Sequence, residues 1–132
     1  MSETSGAAAA GGEGIYHRKY VRVAVATDVV YTRDGNDAEK TGKSSDLGGG
    51  GIRLATDEDL PLGSVLLLRF TLPSSSHEIV ARGRIVLSFY NAEDNRFFHG
   101  IAFTQIDPRE QAEIVEYVTT EVHRQADDEP AP

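Results

Sequence analysis

Val21-Arg22-Val23-Ala24-Val25-Ala26-Thr27-Asp28-Val29-Val30-Tyr31 places Val, Thr or Tyr at every odd position and small or polar residues at several even ones. A period of two marks a strand with one face in a core and one in solvent. The spacing predicts one long strand over residues 21–31, with Val21, Val23 and Val25 inward and Arg22 outward. Asp34-Gly35-Asn36 supplies turn chemistry, and the polar stretch to Ser45 returns as a second strand. Ile52 and Leu54 form a short third strand after a glycine run, and Val65 to Leu72 is an apolar run broken by Arg69, as expected of a central strand. The next segment alternates with Ile79, Ala81, Ile85, Leu87 and Phe89 on one face, where Gly83 marks a bend or bulge. Asn91 to Arg96 turns the chain into a last strand over residues 97–103.

The end of the chain changes period. Asp107-Pro108-Arg109-Glu110 reads as an N-cap acid, Pro at the first helical position and Glu at the third, a capping box lacking its hydroxyl. Ile114, Val115, Val118 and Val122 recur at helical spacing, so an amphipathic helix is expected from 108 to about 124. Five or six antiparallel strands followed by one helix predict a mainly β fold, a small antiparallel β-barrel of about six strands with a C-terminal α-helix.

Composition narrows the functions available. The 132 residues suffice for one domain with a single core. We expect a leader over 1–14, rich in Ala, Gly and Ser and without Lys or Arg, a domain over 15–124 and an acidic tail over 125–132. The absence of Cys excludes disulfides and thiolate metal sites and fits a cytoplasmic location. No apolar run approaches the ~20 residues needed to span a bilayer, so no membrane insertion is expected. A net charge of −8 argues against DNA or RNA as a partner.

Positive charge is concentrated at His17, Arg18, Lys19 and Arg22, at the start of the first strand. A second motif, Asp46-Leu47-Gly48-Gly49-Gly50-Gly51, sets one carboxylate on a glycine turn. Arginine forks suit phosphate oxygens and the O6/N7 edge of guanine, and a carboxylate accepts from guanine N–H groups. Together they suit a small ligand carrying both guanine and phosphate. Other chemistries find no footing. Gly42-Lys43-Ser44 resembles the end of a P-loop, but Asp37 stands where its first glycine belongs and no helix follows. The four histidines lack metal-ligand spacing, no serine sits in a nucleophile elbow, and no enzymatic activity, metal or cofactor is expected.

With these motifs in this order, the chain resembles the PilZ domain, a bacterial receptor for cyclic di-GMP, over roughly residues 16–124. Arg18 and Arg22 match the family's Arg-x-x-x-Arg. Asp46 and Gly51 match the ends of its Asp/Asn-x-Ser-x-x-Gly, and Gly100-Ile101-Ala102-Phe103 resembles its closing strand. The resemblance implies that Arg18, Arg22, Asp46, Gly48 and Gly51 hold cyclic di-GMP, with His17, Lys19, Arg53 and Arg84 as further contacts. Asp46 would then read guanine N1–H and N2–H, and Gly51 would supply the backbone conformation that closes the turn.

One position departs from the pattern: Gly48 stands where the family has Ser. Loss of that hydroxyl implies weaker binding by about 1.5–3 kcal/mol, and Gly48→Ser is expected to restore it. The function implied is a stand-alone cyclic di-GMP receptor or adaptor whose N-terminal segment orders on ligand binding and which signals through an unidentified effector protein. The alternative is a degenerate, ligand-independent adaptor. Motility, biofilm formation and exopolysaccharide production are the implied contexts.

Overall fold

The computed structural model describes residues 20–34, 36 and 38–128. Its strands are β1 (Arg22–Ala24), β2 (Asp28–Arg33), β3 (Lys40–Gly48), β4 (Gly51–Thr56), β5 (Val65–Thr71), β6 (Glu78–Asn91) and β7 (Arg96–Ile106), and one helix follows, α1 (Pro108–Asp128). All pairings are antiparallel, in the order β1-β3-β2-β5-β6-β7-β4, and the β3–β4 pairing closes the sheet into a barrel. The expected barrel with its C-terminal helix is therefore the architecture observed. β1 and β2 share one position beside β3, so seven segments make six staves.

That division corrects the expected single strand over 21–31. The chain leaves the ladder at residues 25–27, where Ser44 of β3 takes over: its hydroxyl donates to the Val25 carbonyl and accepts from the Thr27 amide at 3.0 Å. The alternation nevertheless holds across the gap, with Val23, Val25, Val29 and Tyr31 all buried. Val21 breaks it, standing 63% exposed ahead of the first ladder residue.

Of three register shifts, the one between Arg82 and Gly83 falls where Gly83 predicts a bulge, and the other two decide which residues face outward. From buried Ser44, strict alternation would turn Asp46 inward and Leu47 outward. The register shift between Ser44 and Asp46 inserts Ser45 as an extra residue, so Leu47 enters the core and Asp46 reaches the surface. In β6 the shift between Ile85 and Leu87 does the same at Val86. Ile79, Ala81 and Ile85 are buried as expected, whereas Leu87 and Phe89 lie on the outer face. There Ser88 points inward and contacts His99.

Helix α1 closes the molecule. Asp107 caps it through the Arg109 amide at 2.8 Å, but Glu110 does not complete the expected capping box. Its carboxylate instead accepts from the Val80 amide at 3.1 Å and contacts His77 Nε2 at 2.9 Å, tying the first turn to β6. Ile114 and Val118 enter the core. The helix continues to Asp128, past the expected end near residue 124.

Candidate functional site

Arg22 and Asp46 meet because β1 pairs with the last residues of β3, setting Arg22 opposite Gly48 and Ala24 opposite Asp46. The Arg22 Nε donates to Asp46 Oδ1 at 2.9 Å, and its Nη2 donates to the same oxygen. On the other side β4 sets Arg53 opposite Asp46, with Arg53 Nε 3.7 Å from Oδ2. One carboxylate thus lies between two guanidiniums at the barrel surface. The side chains of Arg22 and Arg53 are each 40% exposed and that of Asp46 25%.

This arrangement is open to exchange. Each arginine retains donors beyond those aimed at Asp46, and Oδ2 accepts no hydrogen bond from either. Ion pairs this exposed contribute about 0–1 kcal/mol, because water and salt screen them. A ligand offering phosphate to the arginines and an N–H edge to the carboxylate has little to displace.

The glycine turn follows directly, and its glycines are dictated by space. A Cβ on Gly51 would fall 2.1 Å from the Ile101 carbonyl oxygen, so the residue permits the close approach of β4 to β7. Among the described glycines Gly63 takes the left-handed conformation, so the need for glycine at Gly51 comes from this close approach. A Cβ on Gly49 would lie 2.6 Å from the Tyr20 ring and 2.7 Å from a Val115 methyl. The turn is thereby held between the residues preceding β1 and the helix, and Gln111 Nε2 donates to the Gly49 carbonyl at 2.9 Å. At Gly48 a Cβ would fall 2.7 Å from the Val21 carbonyl oxygen and 3.0 Å from Arg22 Cγ. The side chain expected to restore a ligand contact there meets β1 instead.

Of the candidate residues, Arg22, Asp46, Gly48, Gly51 and Arg53 lie at this junction of β1, β3 and β4. Arg84 lies on β6 in the cross-strand row that starts from Gly51 and passes through Ala102. Arg82 is turned toward Asp34, 3.4 Å away. His17, Arg18 and Lys19 lie outside the described residues. Among the described residues no group of acids and histidines could hold a metal ion. Sequence reading missed the apolar neighbours of Arg53: its guanidinium stands 6.0 Å from the centre of the Phe89 ring, which sequence alternation had placed inside.

On the inner side of the same strands sits a buried polar cluster. His99 is fully buried, with Nδ1 2.7 Å from the Ser88 hydroxyl and Nε2 3.1 Å from the Thr56 hydroxyl and 3.2 Å from the Glu58 carbonyl. Burial holds the imidazole below its ordinary pKa, against the opposing pull of the Glu58 carbonyl and the Asp59 and Glu58 charges. Tyr31 donates to Glu58 at 2.6 Å, and that bond holds the Glu58 carboxyl below its ordinary range while burial pushes the phenol upward. This cluster pins the loop after β4 from the inner side of the strands whose outer side carries Arg53, Leu87 and Phe89.

A closed antiparallel barrel with a C-terminal helix, bearing an Arg–Asp–Arg cluster beside a glycine turn, places the chain among small antiparallel β-barrel domains. The chain belongs to the PilZ domain family, which matches residues 16–120. Solved structures share the fold. The Bacillus subtilis inhibitor of motility MotI/DgrA superposes with a TM-score of 0.73 at 21% identity, covering 88% of this chain and 55% of that one. The PilZ domain of Escherichia coli YcgR, determined with c-di-GMP, gives 0.59 at 12% identity, covering 85% and 98%. The MrkH–c-di-GMP complex of K. pneumonia gives 0.63 at 15% identity, covering 86% and 55%. The chain thus spans about half the length of the MotI and MrkH structures. No curated protein matches it in sequence. No helix among the described residues is long and apolar enough to cross a membrane.

Proposed function

We propose that this chain is a cyclic di-GMP receptor that signals by presenting a changed surface to an effector protein. The observation that carries the reading is the Arg22–Asp46–Arg53 cluster, with donors for phosphate and an acceptor for the guanine N–H edge side by side. Family membership and the c-di-GMP named with the YcgR and MrkH structures support the same ligand. Arg22 and Arg53 bind phosphate, Asp46 reads guanine, and Gly48 and Gly51 let the backbone of the turn come close. Arg18 folds over the ligand from the N-terminal side with His17 and Lys19 beside it, and Arg84 adds a peripheral contact. The ordered state of that segment is the signal. The site is cytoplasmic and carries no catalysis. The MrkH protein is described as a transcription regulatory factor; for this chain the net charge of −8 favours a protein rather than a nucleic-acid partner.

Gly48 in place of Ser favours a second reading, a family member that contacts its partner without ligand. Calorimetric titration of the folded chain with cyclic di-GMP separates the two, with GTP and cyclic di-AMP as controls. Selective binding, accompanied by protection of residues 10–20 from amide exchange that Arg18→Ala removes, is the receptor's expected result. No heat at high ligand concentration assigns the chain to the ligand-independent class.

A further inference from the structure

The outward row that carries Asp46 and Arg53 continues across the barrel. Gly100 of β7 is the partner of Arg53, and Leu87 of β6 is the partner of Gly100. With no side chain at Gly100, Leu87 covers the gap: a Cβ there would lie 3.1 Å from Leu87 Cβ and 3.6 Å from its Cδ2. In the neighbouring row Phe89 and Phe98 are partners, their rings stacked at 5.5 Å with 10° between planes. The Arg53 guanidinium stands 6.0 Å from the Phe89 centre, within cation–π reach. Leu87 and Phe89 are 44% and 43% exposed. An isolated exposed apolar residue needs no explanation, but these are contiguous and run up to an arginine that also faces the Asp46 carboxylate.

We propose that Leu87 and Phe89 form a stacking platform for one guanine of cyclic di-GMP, with Arg53 bridging the platform to the site that reads the other. The proposal rests on the receptor reading above. A nucleobase has an apolar face and polar edges, and this surface divides along the same line, with edge-reading groups at Asp46 and a flat apolar surface at Phe89. Asp46 and Leu87 are separated by three strand spacings, about 14 Å at the backbone, wider than a single purine ring system. A ligand engaging both ends needs two bases joined through phosphates, and Arg53 stands between them. The Val86 bulge has the consequence of turning Leu87 and Phe89 outward onto this path.

The test titrates cyclic di-GMP into the wild-type chain and into Phe89→Ala, Leu87→Ser and Phe89→Trp, each checked for fold by circular dichroism. Base–aromatic stacking sets the expected loss for Phe89→Ala at roughly 5- to 100-fold in affinity, with Leu87→Ser changing in the same direction. Phe89→Trp keeps the affinity, and because the chain has no other tryptophan, its indole emission reports the stacked base by quenching. Wild-type affinity in both folded truncations, or binding to Phe89→Trp with unchanged emission, overturns the platform and leaves the receptor reading standing. A folded wild-type chain that does not bind overturns both.

Discussion

Arg22 has a partner already, and the strength of that partnership decides how it behaves when replaced. Its bonds to Asp46 are made at the surface, with the side chains 40% and 25% exposed, which limits their worth to about 0–1 kcal/mol. Arg22→Ala should therefore lower the melting temperature by no more than about 4–8 °C while abolishing cyclic di-GMP binding. Calorimetry and thermal denaturation on the same sample check both halves; a collapse in stability would reassign Arg22 to the fold. Gly48→Ser runs the other way. A Cβ at Gly48 meets the Val21 carbonyl oxygen at 2.7 Å, backbone rather than a yielding side chain, so β1 must shift and Arg22 with it. Overpacking of this kind costs about 1–3 kcal/mol. The expected outcome is a lower melting temperature with weaker binding, in place of the tightening that the missing hydroxyl alone suggests. Tighter binding at unchanged stability would show that β1 yields freely.

At the scale of strands and helix, local periodicity is legible in the sequence, and register is not, except where Gly83 marks the shift beside Arg82. The alternation from Val23 to Tyr31, the apolar run of β5 and the Asp107 cap are properties of neighbouring residues, and the structure carries all three. The bulges at Ser45 and Val86 arise from pairing with distant strands, and each reverses the alternation of every residue after it until the ladder is interrupted again. Asp46 could still be assigned to the surface because its motif marks it. Leu87 and Phe89 carry no such mark, and alternation alone places them in the core. Glu110 departs from the capping-box pattern for a related reason, since its partners Val80 and His77 are remote in sequence.

The His99 cluster, also built from remote elements, has a pH consequence. Its imidazole has a lower pKa folded than unfolded, so the unfolded chain binds the extra proton first as pH falls. Stability should be complete above the ordinary histidine pKa and decline as pH drops below about 6.5, with a further decline below about 4.5 as the depressed Glu58 carboxyl protonates. Denaturant titrations between about pH 8 and pH 4 check this. His99→Gln should be less stable at neutral pH and lose the upper part of the slope; an unchanged slope would place its origin elsewhere.

Over the whole molecule, net charge opposes the proposed ligand, since a chain of net charge −8 is asked to bind a dianion. Geometry resolves the conflict. The densest described acidic run, Asp57-Glu58-Asp59, follows the end of β4 away from the glycine turn, with Asp57 about 13 Å along the chain from Arg53 and about 20 Å from Gly51. The Debye length is about 8 Å at physiological ionic strength, so these acids are screened from the site, whereas Arg22 and Arg53 act at contact. Near 0.01 M salt the Debye length reaches about 30 Å, and the same acids repel the ligand across the barrel. Affinity should therefore vary little or rise slightly between about 0.01 and 0.1 M salt, then fall between about 0.1 and 0.5 M as the arginine–phosphate attraction is screened in turn. Asp57→Asn/Asp59→Asn should strengthen binding at the low-salt end and leave the high-salt values alone. Calorimetric titrations across that range distinguish this profile from its rivals. A steep monotonic fall from 0.01 M would mean that the remote acids exert no field at the site. A rise throughout would mean that arginine contacts are not what holds the ligand.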